Sequence, residues 1–511
     1  MGQYGSNVLD LASTIAAYEQ AVRLVPAEPP SAARSWVLSG LGRVYAETDR
    51  QADAVALCEE ALSVARAAGA SEVESRALVP LGTSLVLLGD VQTGLATIRR
   101  ARDRAAALGD VHEVAGASVW LTGTLFMAGL GDEAAAVGLD AETYAVRHGL
   151  SARWVPAVLF WTIFALLERG RWDEAAAALV RIQLYQLTVP QELLIETVLV
   201  SLDVQRGRFD AAGLRAERIR NQSEDSQPWS LHFGIALAQL ALWNGDPFAA
   251  RASVTRSLAL LDTYPDRHPG TPGRIFAMAI RAEADIAVRA RIERSEVDLA
   301  EARARGTAVV ARMQSFFDQI EAKRPSFAMR VAAWLATCQA EFSRLMGTPD
   351  PDRWAAAAAG WEMLGIPFEQ GYALMREGEA TLELHRDRPR AARALMEARE
   401  IATRLRAAPL LRETEALAAR AGVTLKPERA GPAPRGPYDL TRREREVLAF
   451  VAAGRSDGEI ADALFISKKT ASFHVAMIKG KLGARSRVEI ATDAIGLGLI
   501  EAPTPGGRAS A

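Results

Sequence analysis

Four of the six lysines in this 511-residue chain, Lys468, Lys469, Lys479 and Lys481, fall in one short stretch, closely followed by Arg485 and Arg487. No Asp or Glu occurs between Leu464 and Val488. Ammonium and guanidinium groups without neighbouring carboxylates attract phosphate, so this stretch has the chemistry of a polyanion site. The formal net charge of the whole chain is -2, which argues against a protein that coats nucleic acid or membrane along its length. Any such site is local.

Elsewhere, residues with chemical potential are scattered. His112, His148, His232, His268 and His385 show no ligand spacing, and Cys58 and Cys338 lie far apart with no zinc-site pattern. The chain contains no H-E-x-x-H, G-x-S-x-G or G-x-x-x-x-G-K-[ST] motif. These observations predict a non-enzyme with no cofactor and no metal. The N-terminus lacks a basic segment followed by an apolar one, and the longest apolar run, Trp154 to Leu167, is too short for a typical span and contains Pro156. A cytoplasmic protein with no membrane partner is expected, with that run as a buried helix.

The basic stretch must be held by short helices, whose starts are written in the sequence. Thr441 with Glu444, Ser456 with Glu459 and Ser486 with Glu489 each place a hydroxyl three residues before a carboxylate, as in a capping box. Ser467 has the hydroxyl but is followed by Thr470 in place of an acid. Four helices are predicted, at 442–453, 457–464, 468–482 and 487–497. On the third, Ala471, Val475, Ile478 and Leu482 form an inward stripe. Lys468, Ser472, Ala476 and Lys479 form the opposite one, flanked by Lys469 and Phe473. A short turn before this helix completes a helix-turn-helix pattern, which places the third helix in a DNA major groove. Lys468, Lys469 and Lys479 are then expected on phosphates, assisted by Ser456, Lys481 and Arg485.

Before this segment, residues 424–439 form a Pro/Gly-rich linker, and residues 501–511 read as a flexible tail. Residues 1–423 repeat a junction in which an apolar helix ends, a turn follows and an Ala-rich helix begins. Arg50, Asp90, Asp132, Arg171, Arg208 and Asp246 mark successive junctions about 37 to 42 residues apart. A fixed period of helix pairs predicts an α-solenoid resembling tetratricopeptide repeats. The pattern weakens after about Asp262 and returns near Arg386. Aromatics gather at Trp120, Phe126, Tyr144, Trp154, Phe160, Trp161 and Phe164, either as inter-helix packing or as an effector pocket.

From Leu440 to Ile500 the chain resembles the LuxR-type DNA-binding domain, through "LT..E..VL", "G.S..EIA..L.IS.KT", "HV..I..KLG" and "SR.E". The preceding repeats are similar to those of large MalT-like regulators in that family. Their ATPase module has no counterpart here: the chain reads as an ATPase-less regulator, a fragment, or a product of a late start codon. The fold class expected is all-α, a tetratricopeptide-like solenoid at 1–423 followed by a four-helix LuxR-type domain at 440–500. The resemblance implies a transcription regulator that binds double-stranded DNA as a homodimer through its last helix, where Val488, Ala491 and Ile495 either form an apolar patch or belong to the core. The family's base-facing positions correspond here to Ser472, Phe473, Ala476 and Met477. On that expectation Ser472, Phe473 and Ala476 face the bases: Phe473 and Ala476 meet thymine methyl groups, unless Phe473 packs against its own domain, and Ser472 bonds a base edge or a phosphate. The repeats would receive a protein or small-molecule effector. The rival readings are a helical interaction scaffold and a truncated ATP-dependent regulator.

Overall fold

The structure, a computed structural model, describes residues 8–48, 50–222, 230–263, 270–384, 387–423, 425, 442–463, 468, 471, 472, 475, 478, 479, 482, 484 and 486–496. The chain forms two compact units, Met1–Leu425 and Lys426–Ala511. Among the described residues the regular structure is helical throughout, with no strand. The linker at 424–439, apart from Leu425, and the tail at 501–511 lie outside the described residues.

The first unit holds twenty α-helices between Val8 and Arg420 among its described residues. Its rhythm comes from a turn used repeatedly. Gly69, Gly89, Gly109, Gly129 and Gly149 all have positive φ and stand twenty residues apart. At Gly109 the backbone N–H of the following Asp110 donates to Ala105 O at 3.0 Å, closing a Schellman turn. The Asp110 carboxylate then accepts from Glu113 N at 3.0 Å and starts the next helix. A Gly-Asp pair thus ends one helix and begins another. The glycine is required for its left-handed backbone, the acid for the helix N–H groups left without intrahelical partners. In the junction around Asp132 the left-handed residue is Gly129, while Gly131 already begins Gly131–Arg147.

Adjacent helices pack closely where side chains vanish. A Cβ on Gly82 would lie 2.5 Å from Gly94 O, so Ser71–Leu87 and Val91–Ala107 meet backbone to backbone. The repeat rhythm lapses for a physical reason at Gly270–Glu293 and Glu296–Lys323, which run 24 and 28 residues without a turn. The later helices also close on the earlier turns: Arg169 donates to Gly129 O at 2.7 Å and to Gly365 O at 3.0 Å. The apolar run read as a buried helix is Ser151–Glu168, whose Val155, Val158, Leu159, Ile163 and Leu166 are buried in the unit's core.

The second unit has its own small core. Arg442–Ala452 contributes Val447, Leu448 and Val451, Asp457–Ala463 contributes Ile460 and Ala461, and Arg487–Gly496 contributes Ile490 and Ala494. These three helices begin and end within about a residue of the boundaries expected from their capping signals. Between them the described positions 468, 471, 472, 475, 478, 479 and 482 are all helical.

Candidate nucleic-acid interface

Gly454, at φ 75°, turns the chain out of the first helix of the small unit, and Arg455 N closes the turn by donating to Phe450 O at 3.0 Å. Ser456 then caps the second helix. Its backbone N–H donates to Glu459 Oε2 at 2.7 Å, while Glu459 N donates back to Ser456 Oγ at 3.3 Å. This is the reciprocal capping box expected from the sequence. The Ser456 backbone N–H, followed by its hydroxyl, pulls the Glu459 carboxyl down to about 2. At the fourth helix Glu489 N likewise donates to Ser486 Oγ, at 3.2 Å. The Thr441–Glu444 side chains lie outside the described residues.

The described helical positions between 468 and 482 present two faces. Ala471 and Ile478 are fully buried in the core of the small unit, and Val475 and Leu482 pack against it half-buried. On the other face Lys468 and Lys479 are exposed. Lys469, Phe473, Ala476, Lys481 and Arg485 lie outside the described residues, as does His474.

The run of sequence free of acids is not free of them in space. Asp457, in the first turn of the second helix, accepts from Ser472 Oγ at 2.6 Å and from Arg487 Nη1 at 2.5 Å. Arg487 also donates to the Arg455 carbonyl. One carboxylate therefore joins three helices. The Ser472 hydroxyl, then the Arg487 guanidinium, hold the Asp457 carboxyl below the usual carboxylate range against its partial desolvation. Ser472, expected to face bases, is half-buried and engaged by Asp457, and Arg487 is paired rather than a free member of the cation set. The Asp457 bridge escaped sequence reasoning because its partners lie 15 and 30 residues away. The available signal was an Asp directly after an N-cap serine, with an Arg inside the "SR.E" landmark.

In the first unit, Phe126 and Trp161 are buried with ring centroids 5.9 Å apart, and Trp154, Phe160 and Phe164 pack against the same core. These aromatics do packing work. A separate cavity of about 10 Å³, bordered by Gln239, Trp243, Arg281 and Tyr372, has room for about one water. Burial pushes the Cys58 thiol up to about 12 and raises that of Cys338 further, so neither is a ready nucleophile.

Residues 439–494 match the family model described as bacterial regulatory proteins, luxR family. This segment is a LuxR-type helix-turn-helix domain. It is similar to the uncharacterized transcriptional regulatory protein YhcZ of Bacillus subtilis, with 48% identity over 58 residues, 11% of this chain and 27% of that one. It is similar also to the quorum-sensing regulator RhlR of Pseudomonas aeruginosa, with 45% identity over 64 residues, 12% of this chain and 27% of that one. The chain thus spans about a quarter of the length of these relatives, and the likeness is confined to the LuxR-type domain. Among solved structures, the human IFIT1 dimer with m7Gppp-AAAA aligns over 82% of this chain and 96% of its own, at 10% identity and TM-score 0.38. The P58(IPK) TPR domain aligns over 75% and 98%, at 14% identity and TM-score 0.19.

Proposed function

We propose that the chain is a bacterial transcription regulator whose LuxR-type domain binds promoter DNA through the major groove. The observation that carries this reading is the set of described helical positions between 468 and 482, with buried Ala471 and Ile478 on one side and exposed Lys468 and Lys479 on the other. These lysines stand eleven positions apart, about three helical turns, so on a helix they share a face roughly 16 Å apart along the axis. A major groove is about 12 Å wide, so the pair is spaced to reach phosphates on both of its edges. Lys469 joins them on phosphates, with Ser456, Lys481 and Arg485 at the flanks. Phe473 and Ala476 read bases, and Ser472 does so only if its hydroxyl leaves Asp457.

On this reading residues 440–500 are the DNA-binding domain, 424–439 its linker, and 1–423 the array that receives a protein or small-molecule effector. The protein acts in the cytoplasm as a homodimer on DNA. Val488, on the last helix, is 76% exposed and gives such a dimer an apolar contact. Selection from random duplex DNA with the full chain tests the proposal. Enrichment of a motif with paired half-sites is expected. Failure to retain any duplex even at low salt would instead leave a helical interaction scaffold.

A further inference from the structure

Asp457 is the feature of the small unit that the DNA-binding reading leaves unused, and its geometry is unfavourable for that function at first sight. A carboxylate beside a phosphate-binding helix repels DNA, and Lys468 is close enough to act on it electrostatically. Yet Asp457 is placed where it makes two strong contacts at once. Ser472 Oγ donates to one oxygen at 2.6 Å and Arg487 Nη1 to the other at 2.5 Å. Ser472 belongs to the lysine-bearing face of the third helix, and Arg487 opens the fourth helix, Arg487–Gly496. Arg487 is anchored a second time, on the Arg455 carbonyl just before the second helix. Its side chain is 36% exposed and is held by these two acceptors. A bidentate guanidinium is the side chain best suited to phosphate, so pairing it with Asp457 removes a strong, sequence-blind contact.

We propose that Asp457 is a specificity-determining positioning residue, which sets the third helix through Ser472 and withholds Arg487 from the DNA backbone. The inference rests on the DNA-binding reading above. Phosphate contacts carry no sequence information, whereas base contacts depend on how the third helix is seated. Asp457 therefore lowers affinity for arbitrary DNA while sharpening the choice among sequences. The cation set on the interface is smaller than its sequence suggests, and the reduction is built into the fold.

The test uses the full chain and three variants, Asp457→Asn, Arg487→Gln and the two combined, on a selected duplex and on random duplex across 50 to 200 mM salt. The amide introduced by Asp457→Asn would keep an acceptor for Ser472 but no charge to hold Arg487. This variant should therefore raise affinity for random duplex and steepen its salt response. One additional phosphate neutralised per protomer multiplies the change across this range by about 3.5-fold, or about 12-fold for a dimer. The preference for the selected duplex should shrink. Arg487→Gln leaves the Asp457 carboxylate bonded to Ser472 but without its guanidinium and should weaken binding to both duplexes, and the double variant should return random-duplex affinity to near the wild-type value. A merely structural role would give no such rescue. An Asp457→Asn protein with unchanged random-duplex affinity and salt response overturns the proposal. So does a double variant as weak as Arg487→Gln, since Arg487 would then touch phosphate itself. A wild-type chain that retains no duplex at 50 mM salt fails earlier and sinks the DNA-binding reading along with the proposal. Thermal unfolding of each variant identifies any that has lost the small unit, in which case Ser472→Ala replaces it. That variant should lower the preference between duplexes and leave the salt response unchanged; a changed salt response or an intact preference would overturn the proposal.

Discussion

Replacing Lys468 and Lys479 together by Ala isolates the electrostatic part of the account. Both side chains are exposed, and both project from the face opposite Ala471 and Ile478, so their removal leaves the core of the small unit intact. If each protomer of a dimer neutralises about three phosphates through Lys468, Lys469 and Lys479, about six counterions are released on binding. Affinity should then fall roughly a thousandfold between 50 and 200 mM salt. The double variant retains about two contacts per dimer, and over the same range its affinity should fall only about tenfold. The assay is fluorescence anisotropy of labelled duplexes titrated with full-length protein at four or five salt concentrations. Loss of affinity at low salt should be similar for unrelated duplexes, because phosphates are common to all of them. Lys468→Arg with Lys479→Arg should keep the wild-type slope. A double-Ala variant whose slope matches wild type would refute the assignment of these lysines to phosphate. Weakened binding to one sequence only would refute it equally, by placing them on bases.

Ile478→Ala empties a fully buried position in a small core and should cost about 2–5 kcal/mol, read as loss of the small unit's urea transition while that of the repeats persists. Ser456→Ala removes an N-cap and should cost about 1 kcal/mol in the same transition. Glu459 titrates lower in the folded state, from an ordinary 4.5 to about 2, so its contribution is fully present above pH 4.5 and is lost as pH falls through about 2. Glu459→Gln should flatten the acid dependence of the small unit's stability within that window, and an unchanged profile would contradict the capping geometry. Gly94→Ala drives a Cβ into the Gly82 carbonyl oxygen, where neither backbone can yield cheaply. It should destabilise the repeats by about 1–3 kcal/mol in thermal unfolding and leave DNA affinity unchanged.

Much of the small unit was legible because its signals are local. A hydroxyl at an N-cap and an acid three residues later fix a helix start irrespective of tertiary context, and the inward stripe of the third helix follows from helical periodicity. Ala471 and Ile478 are buried where that periodicity placed them. In the repeats, the junctions at Asp90 and Asp246 were readable as Gly-Asp pairs; the mid-repeat turns at Gly69 and Gly149 lack that pair, and the one at Gly109 carries it but falls between the junctions of the 37- to 42-residue period and passed unnoticed with them. The lapse after Asp262 had a cause that periodicity could not supply. Two long helices follow, and Gly306, inside the second of them, sits against Leu345, where tertiary packing tolerates a residue that local rules would put in a turn. Least legible were pairings between distant segments. Nothing near Arg169 indicates that it ties Gly129 to Gly365, and nothing near Asp457 indicates that Ser472 and Arg487 converge on it. Charge counted along the chain therefore overstated the free positive charge of the interface.

The most direct test of major-groove binding is methylation interference on a duplex recovered by selection with the full chain. Guanine N7 lies in the major groove and adenine N3 in the minor groove, so the two modifications report the two faces separately. Guanine N7 methylation within each half-site is expected to interfere, with phosphate ethylation blocking binding on both edges of the same groove. Interference confined to adenine N3, or none from either base, would contradict major-groove binding.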